Sequence, residues 1–170
     1  NLLCYYTYDE QNPIRMGDEL AWINRILTDV DLDHPTACAM NRDYATRPGS
    51  IARTVDFIGY DVYPVTGYSN QDISTVTERL EVGKKTNPNR PIYFMPQGFW
   101  YNTRVEGDLR APTQEEFRNM VFQAIIAGAS MLETYSFNSA TNTPSPGRTA
   151  EEEWKIIATV YDEVSYLEPI

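Results

Sequence analysis

The sequence predicts an α/β fold in which a parallel sheet is covered by helices, either doubly wound or barrel-like. Short apolar runs alternate with stretches of helical periodicity along the chain, and five such runs begin near residues 2, 36, 57, 91 and 130. Most of those spacings leave room for a helical crossover between parallel strands. Composition agrees, because 42% hydrophobic and 22% charged residues in a chain of 170 are ordinary for one folded domain.

The elements follow in order. Leu2–Tyr8 is an apolar and aromatic strand. Asp18–Thr28 is a helix, with Leu20, Ile23 and Leu27 at helical spacing and Trp22 and Ile26 widening the same face. Thr36–Met40 is a strand of small residues after the turn Asp31-Leu32-Asp33-His34-Pro35, and Ser50–Val55 reads as a short helix. Phe57–Val65 is the third strand, closed by Pro64, and Asp72–Lys85 is a helix that turns Ile73, Val76, Leu80 and Val82 inward. Pro91–Pro96 is the fourth strand, followed by a long aromatic and polar loop, Gln97–Ala111. Thr113-x-x-Glu116 is a capping box behind Pro112, and it opens a helix that runs through Phe117, Val121, Ala124 and Ile125 to Gly128. Ser130–Phe137 is the fifth strand and Asn138–Arg148 a loop. A second capping box, Thr149-x-x-Glu152, opens the last helix, which is expected to bury Trp154, Ile157, Val160, Tyr161 and Val164.

Charge and composition exclude several functions. The net charge is −10, with 8 basic against 13 acidic residues in positions 1–85 and 6 against 11 in positions 86–170, so no half supplies the positive stripe that nucleic acid requires. No apolar stretch is long enough to insert into a membrane. One histidine, His34, and two cysteines, Cys4 and Cys38, do not assemble a structural zinc site, and no metal is expected. Cys4 and Cys38 fall on neighbouring strands and suit free thiols at least as well as a disulfide. No Gly-rich phosphate loop is present, which argues against a nucleotide-binding enzyme. Chemistry here is expected to use carboxylates, amides and aromatic rings, without a cofactor.

In parallel α/β folds functional groups collect at the carboxyl ends of strands, where the loops form the crevice or barrel mouth. Those ends carry Tyr8-Asp9-Glu10, Asn41-Arg42-Asp43, Asp61-Val62-Tyr63, Gln97 through Tyr101, and Glu133-Thr134-Tyr135. Glycosidic hydrolysis needs one carboxylic acid and a second carboxylate, with no metal. Glu10, beside Tyr5, Tyr6 and Tyr8, suits the acid, its pKa raised by that aromatic setting, and Asp61 or Glu133 suits the second role. Asp9, Tyr8, Asn41, Tyr63, Gln97, Trp100 and Tyr135 are the expected sugar contacts, since sugars offer apolar C–H faces to rings and hydroxyls to amides and acids.

At these residues the chain resembles the C-terminal portion of a glycoside-hydrolase-type (β/α)8 barrel. The resemblance lies in Tyr6-Thr7-Tyr8-Asp9-Glu10, Asp33-His34-Pro35-Thr36, Asp56 through Pro64, the Pro91–Phe99 segment, and the run from Arg110-Ala111-Pro112-Thr113 through Gly128-Ala129. It implies strands four to eight of the barrel, with Glu10 as acid/base at the end of strand four. It also implies a nucleophilic glutamate at the end of strand seven, where this chain has Gln97. Three readings follow: another nucleophile such as Glu133 or Asp61, an inverting mechanism, or a barrel that keeps sugar binding or a scaffold role without hydrolysis. The expected partners are a carbohydrate and the missing N-terminal part of the same barrel, and the expected location is extracellular or on the cell surface. The chain opens on Asn1 directly before a strand, so residues 1–170 are read as a single-domain fragment, five-eighths of a barrel of about 250 residues. With two open strand edges, it is not expected to fold stably alone.

Overall fold

The protein is described by a computed structural model covering residues 2–10, 13–40, 55–66, 69–70, 72–101 and 110–167. The strands are β1 (Tyr5–Tyr8), β2 (Thr36–Met40), β3 (Phe57–Val62), β4 (Val65–Thr66), β5 (Ser69–Asn70), β6 (Ile92–Pro96) and β7 (Met131–Leu132). The helices are α1 (Pro13–Val30), α2 (Thr75–Thr86), α3 (Gln114–Ile126), α4 (Phe137–Asn142) and α5 (Ala150–Ser165). The main sheet has the order β1-β2-β3-β6-β7, and every neighbouring pair is parallel. Each long strand lies beside the next in the chain with no reversal. A doubly wound sheet must reverse its strand order, whereas a (β/α) barrel does not. The topology therefore takes the barrel-like branch of the two that periodicity left open.

Strand alternation divides the sheet into two faces. On the outer face Cys38, Met40, Ile58, Tyr60, Ile92 and Phe94 pack with Leu80, Phe117, Met120, Val121 and Ile157 from the helices. On the inner face Ala37, Ala39, Tyr93 and Met95 form a smaller cluster with Cys4, Phe57 and Met131. Cys4 and Cys38 are free and belong to opposite clusters, so adjacency of their strands does not bring the thiols together. Two of the large buried rings, Tyr93 and Tyr60, are each admitted by a glycine. A Cβ on Gly59 would lie 2.1 Å from Tyr93 Cζ on the inner face, and one on Gly83 would lie 2.3 Å from Tyr60 Cζ on the outer face. Gly59→Ala is expected to destabilise the fold by about 2–4 kcal/mol through overpacking, with partial recovery in Gly59→Ala/Tyr93→Leu. Chemical denaturation checks this, and a neutral Gly59→Ala would refute it.

Both capping boxes form. Thr113 accepts from Glu116 N at 3.2 Å and Thr149 from Glu152 N at 3.2 Å, and each glutamate returns to the threonine amide. Other boundaries move. α1 begins at Pro13, ahead of Asp18, and β3 ends at Val62, after which the chain turns into the β4-β5 hairpin. β7 keeps only two ladder residues plus a bridge from Tyr135 to Gln97, and α4 occupies part of the expected loop. That helix is opened by Ser136, whose side chain accepts from Ser139 N, a cap hidden in a Ser/Thr/Asn-rich stretch. Trp22 and Ile26 lie exposed rather than on the buried face of α1, because their flank is turned off the one that holds Leu20. Trp154 is also exposed, set edge-on against the Phe137 ring. Of the predicted Ser50–Val55 helix, residues 50–54 lie outside the described residues.

Candidate active site

The carboxyl end of β1 is shaped by an irregularity. Register with β2 shifts between Tyr6 and Tyr8, so the strict alternation of the sequence breaks before the acids. Tyr8 packs with the outer core and its hydroxyl reaches Glu19 at 3.4 Å. Tyr5 points to the opposite end of the strand, where its hydroxyl donates to Asp31 at 2.9 Å beside His34 Nδ1 at 2.8 Å. Tyr6 is the ring that meets the acids, donating to Asp9 Oδ1 at 2.7 Å. Glu10 follows with φ +46°, a left-handed conformation rare outside glycine, and its side chain is exposed.

Asp61 stands near the end of β3, opposite Met95 on β6. Burial, followed by a hydrogen bond and charge from Glu10 and the charge of Asp9, pushes its carboxyl up to about 8. Two acids in such contact cannot both ionise cheaply, so the pair holds a proton at neutral pH. The structure thus places the raised carboxyl on Asp61, in contact with Glu10. Asp61 Oδ1 is buried without a hydrogen-bond partner among the described residues. Just after β7, Glu133 is held by its amide donating to Phe94 O at 3.0 Å, and its carboxyl is raised by partial burial and then by Asp9. Four carboxyls from the ends of three strands therefore act on one another.

An aromatic wall stands beside them. Tyr63 stacks on Tyr135 with centroids 6.0 Å apart and planes at 29°, and Phe99 meets Tyr63, Tyr135 and Tyr101 edge-on at 4.9, 5.6 and 5.0 Å. The Tyr63 and Tyr101 hydroxyls are raised by burial first and by the charges of Asp61 and Glu10 next, which ties wall and acids into one site. The peptide bond between Tyr135 and Ser136 is cis. Trp100 lies at the margin, its indole donating to Thr143 O at 2.9 Å. Asn41 lies outside the described residues.

Gln97 is fully buried. Its Oε1 accepts from Val65 N at 3.0 Å, and its Nε2 donates to Val65 O at 2.8 Å and Phe99 O at 3.0 Å. The amide joins the loops after β3 and β6 and thereby holds Tyr63 and Phe99 in place. Gln97→Glu would set a carboxylate against two carbonyl oxygens, so a loss of about 2–4 kcal/mol is expected, with no gain of turnover. A stable, more active Gln97→Glu protein would refute this.

Sequence reasoning placed Tyr6 beside Glu10 and put Phe99 and Tyr101 in the strand-end group, but did not number the three among the sugar contacts. The signal for Phe99 and Tyr101 was their placement in a loop beside Trp100; for Tyr6, the irregularity in β1 left no trace in the sequence. Among the described residues no group of His, Cys, Asp and Glu is arranged to hold a metal, and no helix is long and apolar enough to cross a membrane.

Solved structures with a similar fold include glycoside hydrolases. A putative α-L-fucosidase from Bacteroides thetaiotaomicron superposes with a TM-score of 0.56 at 13% identity, over 88% of this chain and 50% of its own. A family 17 β-1,3-glucanosyltransferase from Rhizomucor miehei gives 0.56 at 12% identity, over 80% and 53%. A β-glucuronidase from an uncultured Clostridium gives 0.56 at 11%, over 94% and 32%. The likeness is one of fold. The chain spans about half the length of the first two. No protein-family model matches the sequence, and no curated protein matches it significantly.

Proposed function

We propose that this chain supplies strands four to eight of a carbohydrate-active (β/α)8 barrel that hydrolyses O-glycosidic bonds, acting outside the cell or at its surface. The observation that carries the reading is the gathering of Asp9, Glu10, Asp61 and Glu133 at the carboxyl ends of parallel strands, beside an aromatic wall. The proton held by the Asp61–Glu10 pair, moved onto exposed Glu10, passes to the leaving oxygen as the glycosidic bond breaks. Both members are then ionised. Acid and nucleophile or base in glycosidases stand about 5–9.5 Å apart across the sugar, whereas Glu10 acts on Asp61 at close range. That closeness supports Asp61 as the neighbour that holds the proton rather than as the nucleophile. It leaves Glu133 as the carboxylate that attacks the anomeric carbon or takes a proton from water.

The remainder of the barrel is proposed to cover the open edge of β1 and the exposed Trp22, Ile26 and Val30 on α1. A monomeric, cooperatively melting protein of these 170 residues alone would refute that part of the proposal. The test of activity is release of reducing sugar by the full natural polypeptide across a panel of oligosaccharides. Hydrolysis that depends on Glu10 supports the proposal. A second reading, glycan binding without hydrolysis, is favoured by the structural use of Gln97 where the resembled family keeps a carboxylate. Binding with no turnover on any member of the panel selects it.

A further inference from the structure

We infer that Tyr6 is a positioning residue of this site: its hydroxyl holds the Asp9 carboxylate at the strand ends, where Asp9 faces Glu133. The inference rests on the carbohydrate reading above for the role of Glu133. Its basis is an extra residue in β1. Tyr6 pairs with Ala37 on β2 and Tyr8 with Cys38, so Thr7 is the surplus residue, and its hydroxyl donates to Ala37 O at 3.0 Å. Ala37 belongs to the inner cluster and Cys38 to the outer core. In an unbroken strand Tyr6 and Tyr8 would share a face. Here Tyr8 turns to the outer core, and Tyr6 keeps to the inner side and donates to Asp9 Oδ1 at 2.7 Å.

That bond has something to resist. Asp9 is exposed, Glu10 follows it in the chain, and its charge acts on Asp61, Tyr63 and Glu133. Like charge drives an untethered carboxylate out to water, and an O–H···O⁻ bond of this length opposes the drift. Tyr6 is itself exposed, on a strand at the end of the sheet, so the ring behind it limits where its hydroxyl can go. Tyr93, fully buried, reaches across Gly59, and its hydroxyl, without a hydrogen-bond partner among the described residues, acts on that of Tyr6. Glu133 is faced by Cys4 and Tyr6 at β1, Tyr93 on β6, Tyr161 on α5, and Asp9. Asp9 is the one carboxylate among these. After burial, its charge is what raises the Glu133 carboxyl, and a carboxylate of higher proton affinity is the better base.

The test compares the full natural polypeptide with Tyr6→Phe, Asp9→Asn and the double variant on an oligosaccharide that the parent hydrolyses. Phenylalanine keeps the ring, so packing on the sheet is unchanged. Tyr6→Phe should lower kcat/KM about tenfold, the scale of a displaced group in a site. The acid limb of its pH profile should move to lower pH, as Glu133 loses the charge beside it. In the Asp9→Asn background Tyr6→Phe should add nothing, because its effect passes through Asp9. Effects that multiply, or an acid limb that stays in place, overturn the inference and leave hydrolysis by this site standing. If the parent hydrolyses nothing, the hydrolytic reading falls, and the Glu133 titration followed by NMR decides the inference alone. A downward move in Tyr6→Phe that matches the one in Asp9→Asn supports it, and an unmoved titration overturns it.

Discussion

Glu10→Gln is expected to lower kcat/KM by about 10²–10⁴-fold with little loss of stability, because the amide keeps the side chain's shape and removes the proton donor. The main chain gives no reason to expect unfolding, since glutamine meets the same left-handed φ of +46° that glutamate already tolerates. The substitution has a second consequence. Glu10 contributes both hydrogen bond and charge to the upward shift of Asp61, so the titration of Asp61 should move back toward the ordinary carboxylate range. Steady-state kinetics and a carboxyl titration by NMR check the two effects on the same protein. Activity within about threefold of the parent, by the scale of general acid catalysis, removes Glu10 from the mechanism. An unmoved Asp61 breaks the pair.

Stability should fall as pH rises from about 4 to about 8, and Asp61→Asn should flatten that fall. The carboxyl of Asp61 is raised from 3.8 to about 8 in the folded chain, so between those values the native state binds a proton that the unfolded state has released. Stability then decreases with pH in that window; the cost is absent below it and complete above it. A shift of this size is worth several kcal/mol at about 1.4 per unit, and part exposure of the pair reduces the observable difference to about 2–4 kcal/mol. Burial, the largest cause, remains if Glu10 is neutralised, so Asp61→Asn should stabilise the protein at pH 8 more than Glu10→Gln does. The difference between parent and Asp61→Asn in denaturation midpoint, followed across pH, isolates this group from the other acids. Parallel curves from pH 4 to 8 would remove the buried acid pair from the account. Together the two variants separate proton donation from proton storage: one lowers turnover at every pH, and the other changes where stability is lost.

Much of the scaffold was legible. Capping boxes at Thr113 and Thr149 are local, each made by residues three apart, and both formed where the sequence places them. The apolar strands Thr36–Met40 and Ile92–Pro96 were equally plain, because strands buried on both faces read as continuous apolar runs. Asp61 and Glu133 stood out as acids within or beside such runs, and the structure brings both near Asp9. Trp22 and Trp154 misled for a related reason: periodicity places a residue on a helix flank, but which flank is covered depends on a neighbour that the helix does not encode. α4 was hidden because its polar composition resembles a loop and its cap lies only in Ser136.

By itself the sequence determined the alternation of strands and helices, the helix starts, and the set of acids and rings delivered to the strand ends. Each of those follows from side-chain periodicity or from bonds between near neighbours in the chain. Tertiary structure decided what long-range contact alone can decide. Sequential winding without reversal chose the barrel-like sheet, and an irregularity in β1 turned Tyr8 away and Tyr6 toward Asp9. Burial beside Glu10, from a strand some fifty residues earlier, put the proton on Asp61. Gln97, at a position where the resembled family carries a nucleophile, became a brace between two loops. A residue's identity fixes which protons and hydrogen bonds it can offer, and only its folded neighbours fix which of them are used.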